Sequence, residues 1–334
     1  MYRMYFTILF FITCFFFIQS YWIEKDMYTI SYFLKELTSF IMPIMYPLEK
    51  DWIQDYRQMM EPKNFVKNEY INEVEIQLPK NDHRNEQEIY LTEKKRKLYK
   101  LYIPKEKKNL KTILWFHGGG FVVGNIRAEN DMCIELANKT NAIVVNINYA
   151  LAPENKFPQA LKDTINAINW VKSNIKKYNG SKSLIYLAGE SAGGNLVLSV
   201  AHKVKNIKGI ISIYPPLHAF SNYKSHWKYA NYNGFLTLNI MQKFYWNYLS
   251  TILESQTPDV SPNLLPNSKL KLFPKTLLIL AKYDILYDEG LYFSKRLQEN
   301  NVSTIVKSYG DIHGFFYRFG HGKKAFNEII EFFN

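Results

Sequence analysis

The sequence predicts an α/β protein, with helices on both faces of a largely parallel sheet. Three observations lead there. From residue 111 onward, short β-branched runs alternate with stretches of helical periodicity. Runs such as "AIVVNI" and "TLLILA" are almost continuously apolar, as strands buried on both faces are. No internal repeat or long low-complexity tract suggests another architecture.

The first element is the compositional outlier. Residues 4–23 are twenty positions without a charge, a glycine or a proline. As a helix they would measure roughly 30 Å, the thickness of a bilayer core. A cleaved signal peptide is the competing reading, but "FIQSYWIEKD" has no small-x-small cleavage pattern after the apolar run. Residues 1–26 are therefore read as an uncleaved membrane anchor, with secretion after cleavage as the alternative. Arg3 and the terminal amine, set against Lys25 and Lys35, lean only slightly towards a cytosolic N-terminus.

Residues 27–75 are expected to form an N-terminal helical cap segment. Ile30, Phe33, Leu34, Leu37, Phe40 and Ile41 fall at helical spacing, and Pro43 and Pro47 end the pattern. The main body is expected over 76–334. "NEVEIQLP" and "KLYKLYIP" alternate as half-exposed strands do and suggest an antiparallel opening to the sheet. Strands then follow at 112–116, 142–148, 183–188, 207–214, 276–281 and 303–309. Residues 217–260 break the alternation, with Leu238, Met241, Phe244, Tyr245, Tyr248 and Leu249 at helical spacing and no strand. This is read as an insertion above the strand ends, its aromatic stripe serving as core packing or as a lid.

Composition narrows the function. A chain of 334 residues that is 47% hydrophobic can bury a large core. Its net charge of +12 is spread along the sequence, with short clusters at 94–97 and 105–111 beside turns. That pattern describes a solvated surface, or one facing anionic lipid, and no nucleic-acid partner is expected. Cys14 lies in the anchor and Cys133 in the body, so no internal disulfide is expected.

The chemistry gathers around "LIYLAGESAGGN". Ser191 sits in Gly189-Glu190-Ser191-Ala192-Gly193, between a strand and a helix. A turn that tight strains its central residue, and glycines two positions away remove the Cβ atoms that would clash. The result is an exposed hydroxyl at a helix N-terminus. Serine needs a base, and the base needs an acid to orient it. In a parallel sheet such groups gather at the C-terminal ends of strands. Of seven histidines, His313 and His321 follow the final strand, and His313 comes directly after it. The preceding strand delivers Asp284, whereas Asp288 and Glu289 open the next helix, where acidic residues commonly cap. His313 and Asp284 are therefore the expected base and acid. Upstream, a strand runs into His117-Gly118-Gly119-Gly120-Phe121, where absent side chains let backbone N–H groups converge on an oxyanion. His117 is expected to prop this loop. No metal or cofactor is required.

Several motifs together resemble the hormone-sensitive-lipase-like branch of the α/β-hydrolases, and within it the membrane-anchored arylacetamide deacetylase and neutral cholesterol ester hydrolase group, related to steryl acetyl hydrolases. They are "HGGGF", "NYALAPENKFPQA" followed by Asp163, "GESAGGN", "VSPNLL", "DILYDE" and "HGF". The resemblance covers residues 90–334. It implies a mostly parallel eight-stranded sheet with helices on both faces and a helical cap built from the N-terminal segment and the 217–260 insertion. It implies Ser191, Asp284 and His313 as the triad, the N–H groups of Gly119, Gly120 and Ala192 as oxyanion donors beside Gly118, and Glu190 as a support for the glycine loop. It also implies a signal anchor with the body in the endoplasmic reticulum lumen. A serine carboxylic-ester hydrolase acting on lipophilic or acetylated substrates is the expected function. An amidase on the same triad is the alternative, and a non-catalytic binding protein of this fold is the third. One departure stands out: Asn148-Tyr149-Ala150 replaces the family's common Asp-Tyr-Arg, whose arginine helps fix the loop.

Overall fold

A computed structural model describes residues 53, 71–77, 97–105, 108–230 and 236–333. All of them belong to the unit spanning Lys50–Asn334. The expected anchor at 1–26 and the helix expected near Ile30 lie outside the described residues. Among the described residues, no helix is long and apolar enough to cross a membrane.

The sheet has eight strands: β1 (Ile71–Gln77), β2 (Lys97–Pro104), β3 (Leu110–Phe116), β4 (Ile143–Ile147), β5 (Gly180–Glu190), β6 (Gly209–Ile213), β7 (Lys275–Ala281) and β8 (Thr304–Tyr309). Their spatial order is β1-β2-β4-β3-β5-β6-β7-β8. β1 and β2 pair antiparallel, as does β2 with β4, and every later pairing is parallel. Among the described residues the sheet begins at Ile71, one residue before the strand expected from "NEVEIQLP" and within the stretch 27–75 assigned to the helical cap segment. The reason is the alternation in "INEVEIQ", which the antiparallel ladder to β2 uses along its whole length.

Helices α1 (Asn130–Thr140), α2 (Gln159–Asn174), α3 (Ala192–Val200), α4 (Lys224–Lys228), α5 (Leu238–Tyr248), α6 (Asn267–Leu270), α7 (Tyr287–Glu299) and α8 (Gly322–Phe333) lie between and after the strands, with short 3-10 helices at Ile175–Tyr178, Ile252–Gln256 and Pro262–Leu264. The period of two along each strand divides the core. Leu114, Phe116, Val145, Leu187 and Leu278 face one way, onto Ala167 and Ile168 of α2, Leu196 and Val197 of α3, and Phe293 of α7. Ile113, Trp115, Val144, Leu277 and Ile279 face the other, onto Met132 and Leu136 of α1 and Phe326 and Ile329 of α8. Both faces of the central strands are thus covered, which is why they read as largely apolar runs without polar alternation. Each such side chain contributes about 1.5–3 kcal/mol on burial.

Between β6 and β7 lies the insertion, and there is no strand in it among the described residues. Thr237 caps α5 by accepting the Ile240 N–H at 3.2 Å. Met241, Phe244, Tyr245 and Tyr248 of α5 are all buried. Tyr248 stacks on Phe121 with ring centroids 4.0 Å apart, and its carbonyl accepts the Phe157 N–H at 2.8 Å. α5 is thereby set on the loops that follow β3 and β4.

Buried polar groups stitch the insertion to the body. Asn195 of α3 donates to the carbonyls of Pro216 at 2.7 Å and Val260 at 2.8 Å, one at each end of the insertion. Glu289 accepts the N–H groups of Leu217 at 2.7 Å and His218 at 2.6 Å and faces His226 Nε2 at 3.4 Å. Asp288 accepts the Ser225 N–H at 2.8 Å. The two carboxylates expected to cap α7 hold the insertion: Glu289 is buried without access to solvent and half-buried Asp288 sits at its edge, and the insertion's amides are the donors within reach. Replacing Asn195 by alanine leaves two buried carbonyls short of a donor. It should lower unfolding free energy by about 1–3 kcal/mol in urea titrations, with the fold retained.

Candidate active site

Ser191 stands between β5 and α3 at φ 52° and ψ −116°. This is strained backbone for a residue with a side chain. The strain is held by the Ser191 N–H, which donates to the Ile213 carbonyl at 2.8 Å. A Cβ on Gly189 would lie 2.4 Å from the Gly193 carbonyl carbon, and a Cβ on Gly193 would lie 2.0 Å from the Phe116 oxygen. Small residues surround the hydroxyl because α3 crosses the ends of β3 and β5 in backbone contact.

Asp284 follows β7 and is buried; its Oδ1 accepts the Leu286 N–H at 3.0 Å. Its Oδ2 lies 2.6 Å from His313 Nδ1, and His313 Nε2 lies 3.0 Å from Ser191 Oγ. A carboxylate only accepts, so Nδ1 carries the proton and Nε2 accepts from the serine hydroxyl. All three side chains are screened from solvent, with residue exposures of 8% for Ser191, 9% for His313 and 2% for Asp284. The ring of Tyr214 packs on His313 at 4.7 Å. His321 lies elsewhere, its Nδ1 bonded to Asp311 Oδ2 at 2.7 Å and its side chain half exposed.

Gly118, Gly119 and Gly120 line the same cavity as Ser191 and His313. Gly120 has φ +58°, and a Cβ there would sit 2.3 Å from Phe244, so α5 rests directly on the glycine loop. The Gly119 carbonyl accepts from Val122 at 3.0 Å and Val123 at 2.9 Å, which closes the turn. Ala192 opens α3, where first-turn N–H groups have no intrahelical partner. His117 lies beneath the loop: its Nδ1 is 2.7 Å from the Gly118 oxygen, and its ring stacks on Tyr149 at 4.3 Å. The Tyr149 hydroxyl in turn donates to the His117 carbonyl at 2.8 Å. Where the family's common arginine is replaced by Ala150, the Ala150 N–H donates to Asp163 Oδ2 at 2.8 Å, and Gln159 holds the other oxygen at 2.9 Å.

Glu190 lies against the glycine loop, its carboxyl carbon 3.6 Å from where a Cβ on Gly118 would sit. Its carboxylate makes an ion pair with Arg318, at 2.7 Å from Oε1 to Nη1. The same guanidinium reaches Glu129 Oε1 at 3.3 Å. Neither Arg318 nor Glu129 is among the residues that sequence reasoning selects. A glutamate inside a buried elbow was itself the signal, since such a charge requires a partner. Burial first, and the Glu190 charge second, push the Glu129 carboxyl up to about 7, with Arg318 pulling the other way. A carboxyl raised in this way adds stability below its unfolded value of about 4.5, and that contribution is lost as pH rises through about 7. Glu129→Gln, which stays neutral, should therefore gain stability relative to wild type between pH 5 and pH 8, on the order of a few kcal/mol, in urea titrations at the two pH values.

A doubly covered parallel sheet, a strained serine elbow and a glycine loop facing it define the α/β-hydrolase class. The chain belongs to this family: the model described as alpha/beta hydrolase fold matches residues 113–317. It is similar to an arylesterase of Saccharolobus solfataricus, 30% identical over 222 residues that cover 65% of this chain and 72% of that one. An AB hydrolase superfamily protein of Schizosaccharomyces pombe is 30% identical over 205 residues, covering 59% of this chain and 60% of its own. Among solved structures, the hyperthermophilic esterase from Pyrobaculum calidifontis superposes with a TM-score of 0.72 at 29% identity, over 84% of this chain and 92% of that one. The chain spans about three-fifths of the length of the relatives from Acanthamoeba polyphaga mimivirus and Schizosaccharomyces pombe, 61% and 60%.

Proposed function

We propose that this protein is a serine carboxylic-ester hydrolase. The observation that carries the reading is the continuous line of hydrogen bonds from Asp284 through His313 to Ser191, 2.6 and 3.0 Å long, opening on the glycine loop. In the proposed mechanism Ser191 Oγ attacks an ester carbonyl while its proton passes to His313 Nε2. Asp284 holds the ring through Nδ1–H and stabilises the imidazolium. The negative charge on the carbonyl oxygen is met by N–H groups of Gly119, Gly120 and Ala192, each worth about 3 kcal/mol in the transition state. His313 then protonates the departing alcohol, and water, deprotonated by the same ring, releases the acid from the acyl-serine.

A lipophilic or acetylated substrate is supported by the cavity wall, where Phe121, Pro216, Leu236, Met241, Phe244 and Leu286 surround the serine. The body from about residue 27 should hydrolyse p-nitrophenyl acetate, butyrate and laurate, and Ser191→Ala should lose about a million-fold in kcat while melting normally. Faster turnover of charged, water-soluble esters than of these would count against the lipophilic substrate. Turnover of the matching anilides but not the esters would transfer the triad to amide chemistry.

The uncharged run at residues 4–23 supports attachment of the body to a membrane, and the resemblance supports the endoplasmic reticulum lumen as its compartment. The full chain should stay with the membrane pellet after alkaline carbonate washing. Release into the supernatant would point to cleavage and secretion.

A further inference from the structure

His313 lies between β8, which ends at Tyr309, and α8, which begins at Gly322. No strand ladder or helix fixes its backbone, and the loop includes Gly314 at φ 81° and Tyr317 at φ 59°. Asp284 holds the ring itself at 2.6 Å, and the loop around it is set by a few backbone bonds, such as Tyr283 N–H to the Asp311 carbonyl at 3.0 Å, together with side-chain contacts. Tyr214 supplies one contact, its ring on His313 and its hydroxyl accepting the Phe316 N–H at 3.3 Å.

Arg318 supplies a charged one. Its Nη1 donates to Glu190 Oε1 at 2.7 Å and also faces the carbonyls of Phe316 at 3.3 Å and Gly314 at 3.4 Å. Its Nη2 reaches Glu129 Oε1 at 3.3 Å, beside the N-terminus of α1. Glu190 directly precedes the serine, and Gly314 directly follows the histidine. One guanidinium therefore bridges the serine's strand, the histidine's loop and the segment after the glycine loop. Its charge is already met by the buried carboxylate of Glu190 at 2.7 Å, with Glu129 beside it, so although it borders the cavity it is not free to bind an anionic substrate. A planar fork of donors is what this bridge needs, and the single ammonium of lysine cannot reproduce it.

We propose that Arg318 is a positioning residue that sets the His313 ring against the Ser191 hydroxyl by tying the loop at 313–318 to Glu190. The inference rests on the serine-hydrolase reading above. It also accounts for a buried glutamate next to the serine: Glu190 is the fixed point on the strand to which the loop is bound.

The test measures covalent labelling by a fluorophosphonate probe, together with kcat and KM for p-nitrophenyl butyrate. Wild type, Ser191→Ala, Arg318→Ala and Arg318→Lys are compared, with melting followed in parallel. A displacement of about 1 Å at such a pair costs on the order of a hundredfold. Arg318→Ala should therefore label and turn over about a hundredfold more slowly, with KM within about twofold of wild type. Arg318→Lys should fall between, and millimolar guanidinium ion should restore part of the rate of Arg318→Ala without raising that of wild type. Unchanged labelling and kcat in a folded Arg318→Ala would overturn the proposal, as would a raised KM at constant kcat, which would assign Arg318 to substrate binding. If Arg318→Ala does not fold, Arg318→Lys decides, and a wild-type rate there overturns the proposal. Failure of wild type to label at all would sink the serine-hydrolase reading and this inference with it. Equal labelling of wild type and the Arg318 variants would sink this inference alone.

Discussion

The site depends on the backbone of a single residue. Ser191 is held at positive φ where β5 turns into α3, and the turn is possible only because α3 lies against the ends of β3 and β5 at glycine distance. A Cβ on Gly193 would displace the Phe116 carbonyl, and Phe116 is the last residue before the glycine loop. The hydroxyl, the first amide of α3 and the loop at 117–121 are therefore placed by the same close approach of two backbones. The apolar layers on either face of the sheet keep that approach from relaxing.

Around this rigid centre, the parts without regular structure are held by buried charge. Glu289 gathers two amides of the insertion and faces His226. Burial raises the Glu289 carboxyl, and hydrogen bonds from His226, Leu217 and His218 work against that rise. For His226, burial opposes the charged ring, but the hydrogen bond and charge of Glu289 outweigh it and raise its pKa. Arg318 does the corresponding work for the histidine loop. Both networks are high-stakes, since a buried charge that loses its partner costs far more than the pair contributes.

The strands and the proposed chemical residues were legible for specific reasons. Strands β3, β4, β6 and β7 are buried on both faces and therefore carry the apolar runs that identify them. The elbow betrays itself because only glycine fits at 189 and 193. Asp284 and His313 could be separated from Asp288 and His321 because reactive groups gather where parallel strands end. The partnership of Arg318 with Glu190 and Glu129 was not legible. It spans 128 and 189 residues of sequence, and arginine in "FFYRFGHG" has no spacing that marks it. The same holds for Glu289, which looks like an ordinary acidic residue in the first turn of a helix.

The fold class, the order of the strands along the chain and the types of residue at the site are written in the amino-acid sequence. Local sterics and hydrophobic periodicity act over a few residues and are written directly in the chain. Folding in three dimensions brings Ser191, His313 and Asp284 within hydrogen-bonding distance, rests α5 on the glycine loop, and lets one guanidinium tie the loop at 313–318 to the serine's strand. Those outcomes arise from packing between segments far apart in sequence, where a buried group takes whatever donor or acceptor the fold brings to it.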